Sequence, residues 1–206
     1  MIYHPRPDDH GQAVKLKHPS NPSPQATWSS PSAVATVVPQ GELPIALNGT
    51  TFEDWAEVPH TTHDWEQLAA RRSIDEPPFN VPPHLRAAAG VVVEESDGRF
   101  WLVAPSNRFG GYSATFPKGT VEQGVSLQAT ALREAWEESG LQVELTGYLL
   151  DAARSETYTR YYRARRIGGS PAVMGWESQA VHLVPKAQLA HYLTNKNDLP
   201  LLKALS

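Results

Sequence analysis

Proline most restricts how this chain can fold. Thirteen of its 18 prolines precede Leu85. Each proline locks one backbone dihedral and lacks an N–H, so helix interiors and central strands tolerate it poorly. Regular structure is therefore expected mainly after that point. Residues 1–31 are polar and rich in Pro, Ser and His. They bury too little apolar surface to fold alone and read as a flexible N-terminal segment. Residues 32–84 read as a small β-β-α extension that ends in a Pro-rich linker. Within it, Val34 to Val38 is a short strand, and Asn48-Gly49 between apolar runs is a hairpin turn. His63 to Arg72 is a short helix with Trp65, Leu68 and Ala69 on one face. Residues 77–84 form the stiff linker.

Residues 85–206 alternate strands with helices and read as one compact α+β domain. Ala88 to Glu95 and Phe100 to Ala104 are strands joined by the turn Ser96-Asp97-Gly98. Arg108 to Phe116 is Gly-rich and reads as part strand, part loop. Ser126 to Ser139 is a helix, with Ser126 as N-cap and Gly140 as its stop. Val143 to Ala153, Tyr158 to Arg166 and Ala180 to Val184 are further strands, and Lys186 to Leu193 and Leu199 to Leu205 are closing helices.

Composition narrows the function classes. Hydrophobic residues are 40% of the 206, enough for a core. A net charge of −4 gives no general reason to expect nucleic acid or an anionic membrane as partner. The chain has no cysteine, which excludes disulfides, thiolate catalysis and cysteine-held zinc. The first residues lack the apolar stretch of a signal peptide, and no run reaches membrane-spanning length. The expectation is a cytoplasmic protein with no membrane partner.

The helix from Ser126 carries the chemistry. Glu134, Glu137 and Glu138 stand at i, i+3 and i+4, so their carboxylates share one face. Like charges at that spacing repel. The arrangement is either a solvated acidic helix end or a set of hard oxygen ligands for a divalent cation such as Mg²⁺. Arg133 lies four residues before Glu137 and is placed to hold it. The other side, Leu132, Ala135 and Trp136, is apolar and suited to packing on a sheet. The preceding loop favours the metal reading. Pro117-Lys118-Gly119-Thr120 and Gly124 place a turn and a cation beside the carboxylates, which suits a metal-bridged pyrophosphate.

Gly119, Arg133, Glu134, Ala135, Glu137, Glu138, Gly140 and Leu141 fall at the spacings of a known signature, which this stretch resembles: that of the Nudix hydrolases. The resemblance extends over about residues 87–205 in element order and does not reach residues 1–84. It implies an α/β/α sandwich around a mixed sheet, and Mg²⁺-dependent hydrolysis of a pyrophosphate linkage in a nucleoside diphosphate joined to another group, with Mn²⁺ as an alternative ion. It also implies that Glu134, Glu137, Glu138 and the Gly119 carbonyl hold the metal. Lys118 would neutralise phosphate charge, and Arg133 would order the carboxylates. One position departs: the supporting Glu of the signature is Val125 here. The family often recruits a further acid from a loop after the last sheet strands. Glu177, in Trp176-Glu177-Ser178, stands there, so Glu134 and Glu177 are alternative general bases.

Substrate signals are thinner. Phe116-Pro117-Lys118-Gly119 resembles the branch acting on dinucleoside polyphosphates or diphosphoinositol polyphosphates, and Tyr158 lies near the spacing at which that branch carries a Tyr. A strand aromatic packed in the core is the simpler account of Tyr158. In the basic strand after it, alternation puts Arg160 and Arg166 on one face and Arg163 and Arg165 on the other. One pair is placed to meet a polyphosphate, or the strand is a charged edge. Lys118, Tyr158, Arg160 and Trp176 are the candidate substrate contacts. His60 and His63, with Asp64 close by, have a metal-like spacing but no third ligand in the motif, and Trp28, Trp55 and Trp65 are expected to serve the extension's own core. The rival functions are an ADP-ribose or nucleotide-sugar pyrophosphatase, with the extension pairing two subunits in a homodimer, and a degenerate non-catalytic module that binds a nucleotide. The expected partner is a phosphate-containing small molecule.

Overall fold

The computed structural model describes residues 1–206. Eleven strands and four helices form it: β1 (Ile2–Tyr3), β2 (Lys15–Leu16), β3 (Ala35–Val37), β4 (Ala46–Leu47), β5 (Thr50–Thr51), α1 (Thr62–Ala70), β6 (Arg86–Glu94), β7 (Arg99–Pro105), β8 (Lys118–Thr120), α2 (Leu127–Ser139), β9 (Leu141–Ala153), β10 (Thr157–Gly169), β11 (Ser178–Pro185), α3 (Leu189–Tyr192) and α4 (Leu199–Leu205). The central sheet runs β3-β11-β7-β6-β10-β9, with β8 also paired to β6. β6 and β10 are parallel and the other pairs antiparallel, so the sheet is mixed.

Both faces of this sheet are covered, and the strand alternation shows it. Val91 and Val93 of β6 join a core with Ala129, Ala131, Leu132 and Ala135 of α2. Val92, between them, joins a second core with Phe100, Leu102, Leu201 and Leu205 on the opposite face. The result is the expected α+β sandwich, α2 and the extension on one side and the C-terminal helices on the other. The segment predicted as part strand, part loop is a kinked helical turn, Ser106–Gly111, and only Thr115 bridges to the sheet, at Val103.

α2 begins where the Ser126 side chain accepts a hydrogen bond from the Ala129 N–H, and it ends at Gly140 with φ of 69°. An added Cβ at Gly140 would lie 2.3 Å from the Ser170 carbonyl oxygen, so glycine alone both makes the stop and lets β9 leave. α1 is capped reciprocally by Thr61 and Asp64. That cap uses the Asp64 carboxylate, and His63 pairs with Gln67, which leaves no metal site in the His60 to Asp64 stretch.

The first 84 residues are not an appendage. β3 pairs with β11 as the sheet's edge strand. Trp28 is 2% exposed, and Arg99 of β7 donates to the Thr27 and Trp28 carbonyls at 3.0 and 2.7 Å. Residues 1–31, read as flexible because they are too polar to fold alone, are instead laid on the domain, which supplies the core they lack. The β4–β5 hairpin turns through Asn48 and Gly49, both at positive φ. Arg166 fastens it, donating to the Leu47 carbonyl at 2.9 Å while pairing with Glu95 at 2.6 Å. Leu47, Phe52, Trp55, Trp65 and Leu68 pack on the main core of the same chain, as expected of residues that must be buried, but Ile45 is 90% exposed.

Candidate active site

β8 and α2 bring the signature residues together. Lys118 donates its backbone N–H to the Glu138 carboxylate at 2.9 Å. Gly119, beside it, passes so close to α2 that an added Cβ would sit 2.2 Å from the Glu134 carboxyl carbon. A side chain at 119 would displace that carboxylate, which explains the glycine by close approach. Glu134 is 7% exposed, Glu138 is half-buried and Glu137 is exposed.

Crowding shows in the titration of these acids. Burial, then repulsion from Glu138 and Glu137, pushes Glu134 up to about 9, outweighing the attraction of Arg133. Burial raises Glu138 to about 7 against the pull of Lys118. Glu137 is raised by burial and by Glu177 and Asp9, with Arg133 opposing. Glu177 lies in the exposed turn before β11; partial desolvation of its carboxylate, then Asp9, raises it, with Lys118 opposing. These carboxylates thus share one electrostatic neighbourhood, under-supplied with positive charge.

Arg133 does not chiefly hold Glu137, as its i+4 spacing predicts. Its shortest contact is to Glu122 in the preceding loop at 2.5 Å, against 3.4 Å to Glu134 and 3.9 Å to Glu137. It clamps loop to helix. Val125, in place of the signature's Glu, packs half-buried against the main core.

The substrate candidates fare unequally. Lys118 reaches the site, its ammonium 5.3 Å from the Tyr112 ring. Trp176 donates its indole N–H to Asp9 at 3.0 Å. Tyr158 stacks on Phe79 of the linker at 5.3 Å, so its ring holds the linker. Arg160 is not available to a phosphate. It is 1% exposed, gripped in bidentate fashion by Asp151 at 2.7 Å, and lies over the rings of Phe79 and Tyr148. A phosphate would have to displace a carboxylate from a buried pair. Arg166 is equally committed, and Arg165 pairs with Glu144 at 2.6 Å. Asp9 escaped the sequence reading. It lies 125 residues from Glu134, in a Pro-rich turn with no motif around it, and only the fold brings it to the acidic face.

The donors suit a hard divalent cation in chemistry: carboxylate oxygens, partly desolvated, whose repulsion two positive charges would relieve. Their side chains are not gathered around a point, since no group of three or more His, Cys, Asp or Glu side chains is close enough to hold an ion. Glu134, Glu137 and Glu138 stand together on one face of α2, beside Lys118 and Gly119.

The NUDIX domain family model matches residues 84–205. The chain belongs to the Nudix family. Among its curated relatives are the RNA pyrophosphohydrolases of Caulobacter vibrioides, 34% identical over 99 residues covering 47% of this chain and 54% of that one, and of Pseudoalteromonas atlantica, 33% identical over 94 residues covering 44% and 50%. The chain spans about half the length of these relatives. In fold it is similar to the crystal structure of a NUDIX hydrolase from Nitrosomonas europaea, with a TM-score of 0.51 and 20% identity over 60% of this chain and 72% of that one. No helix is long and apolar enough to cross a membrane.

Proposed function

We propose that this Nudix chain is a divalent-metal-dependent pyrophosphohydrolase acting on a nucleoside 5′-phosphoanhydride. The observation that carries this reading is the mutually repelling pair of buried Glu134 and half-buried Glu138, held against Gly119 and Lys118. A surface acidic helix would leave those carboxylates in water, where repulsion costs little. Here ionising both acids at once costs desolvation and repulsion that a bound cation would offset, and Glu134, Glu137, Glu138 and the Gly119 carbonyl would hold it. When bound, Mg²⁺ or Mn²⁺ would polarise the phosphoryl oxygens and make the attacking water more acidic.

The rest is this chain's own work. Water attacks one phosphorus, the P–O bond of the anhydride breaks, and a carboxylate takes the water's proton. Glu177 suits that base better than Glu134. Glu177 lies exposed in its turn, while partial desolvation of the carboxylate and then the charge of Asp9 raise its pKa. Glu134 is enclosed between Gly119 and Arg133. Lys118 neutralises the departing phosphate. Because relatives of this chain act on RNA by name, RNA enters the substrate set despite the net charge of −4. An anhydride can occur in RNA only at a 5′-phosphorylated end. The rival, a nucleotide-binding module without catalysis, rests on Val125. The protein would work in the cytoplasm.

The test is Mg²⁺-dependent release of phosphate or pyrophosphate from diadenosine polyphosphates, ADP-ribose, NADH, inositol pyrophosphates and 5′-triphosphorylated RNA. Glu138→Gln should lower kcat about a hundredfold or more with little change in KM. Wild type inert on every compound would sink the reading.

A further inference from the structure

Beside the acidic face lies a cavity of about 460 Å³, a size suited to a small ligand. Val58, Pro59, Trp65 and Trp136 give it apolar and aromatic walls. Arg133 and Glu137 close the end nearest the carboxylates, so the cavity and the candidate active site share a wall. His60 and Thr62 stand exposed at its rim, whereas the Thr61 hydroxyl is already taken by Asp64. The indoles are fixed in place. Trp55 meets Trp65 and Trp136 nearly perpendicularly, at 5.8 and 5.6 Å. Six of its nine lining residues come from the extension and three from α2, so the Nudix domain alone does not form it.

We infer that this cavity binds the nucleobase of the substrate, stacked against the indole wall, with His60 and Thr62 reading its polar edge and its phosphates directed past Glu137 to the metal-binding face. The inference rests on the hydrolase reading and deepens it by naming the group recognised. The lining argues for a base over an inositol polyphosphate. A polyphosphate needs several free cations. The sole cation here, Arg133, already faces Glu122, Glu134 and Glu137. A planar, uncharged heteroaromatic needs only stacking and a few hydrogen bonds, and those are what the walls offer. A free nucleotide and the 5′-terminal nucleotide of an RNA present the same base.

The experiment uses the full chain, with AMP, ribose 5-phosphate and inorganic pyrophosphate as calorimetric probes and no added metal. Wild type should bind AMP more tightly than ribose 5-phosphate. Thr62→Tyr, which fills the cavity, should weaken AMP binding about tenfold, and His60→Ala should weaken it several-fold. Neither should alter ribose 5-phosphate or pyrophosphate binding. Both positions are exposed, and circular dichroism checks that the variants fold. AMP bound equally by wild type and Thr62→Tyr, or no more tightly than ribose 5-phosphate, overturns the inference. In hydrolysis assays the same variants should raise KM and spare kcat. A rise with diadenosine polyphosphates assigns the site to free nucleotides, and a rise with 5′-triphosphorylated RNA to a terminal nucleotide. An unchanged KM on both overturns the base site while leaving the hydrolase reading intact. An inert wild type whose AMP binding is lost in Thr62→Tyr does the reverse.

Discussion

Val125 packs half-buried against the core, beneath the extension. A carboxylate there would add negative charge to the acidic face, at the cost of desolvating it and losing apolar contact. Val125→Glu is therefore expected to do two opposed things: lower the Mg²⁺ concentration for half-maximal rate, and lower Tm by a few degrees. Titration of activity against Mg²⁺, beside a melting curve, checks both, and an unchanged Mg²⁺ requirement would make the missing carboxylate irrelevant. Arg160 belongs to the opposite category. Arg160→Ala removes the buried partner of half-buried Asp151, a loss of up to about 3–5 kcal/mol. Stability should collapse accordingly, while any enzyme that still folds keeps its KM. A selective rise in KM with unchanged Tm would restore Arg160 to the substrate site. The Arg160/Arg166 alternation was legible in the sequence. Their burial was not, because alternation assigns faces and cannot reveal that both faces of the sheet are covered.

Among the elements, α2 was the most legible. Its cap, its glycine stop and its carboxylate spacing are all local, and all appear as read. The edge strand β3 was legible only as a strand. Its partner β11 lies far along the chain, and nothing local specifies the pairing. That seam contains a titratable group. His182 of β11 meets the Thr36 hydroxyl through Nδ1 at 2.9 Å, and burial lowers its pKa to about 4. The unfolded chain, near the ordinary 6.5, takes up more protons between those values. Stability should hold above about pH 6.5 and fall as pH drops toward 4. His182→Gln keeps a hydrogen-bonding side chain without the charge and should flatten that slope. Denaturant melts at pH 7 and pH 5 measure it, and equal slopes in both proteins would place the acid sensitivity elsewhere.

For the whole molecule, the extension and the Nudix domain share one core. Trp28 and Phe52 pack on Trp101, and Trp55 on Trp136. A chain starting near Pro82 would expose Trp101, the α2 indole and the β11 edge together. It should aggregate or melt far below the full protein. A soluble, fully active truncation with unchanged KM would show the first 81 residues to be dispensable. The nearness of Asp9 to Glu137 and Glu177 has the same origin: no segment-by-segment reading can place a residue whose position depends on the far end of the chain.

The β3–β11 seam also sets a timetable. Thr36 and its partner His182 are 146 residues apart. At synthesis rates of about 5–20 residues per second, the first strand of the sheet waits roughly seven to thirty seconds for its neighbour to be made. Until Trp101 and Trp136 are made, partway through that interval, the nascent N-terminal third carries Trp28, Trp55 and Trp65 without the rings that cover them. The prolines and polar residues interspersed among them keep the waiting chain from pairing strand to strand with another of its kind. The composition that makes residues 1–84 unable to fold alone is thus what lets them stay unfolded safely until the ribosome has delivered the rest.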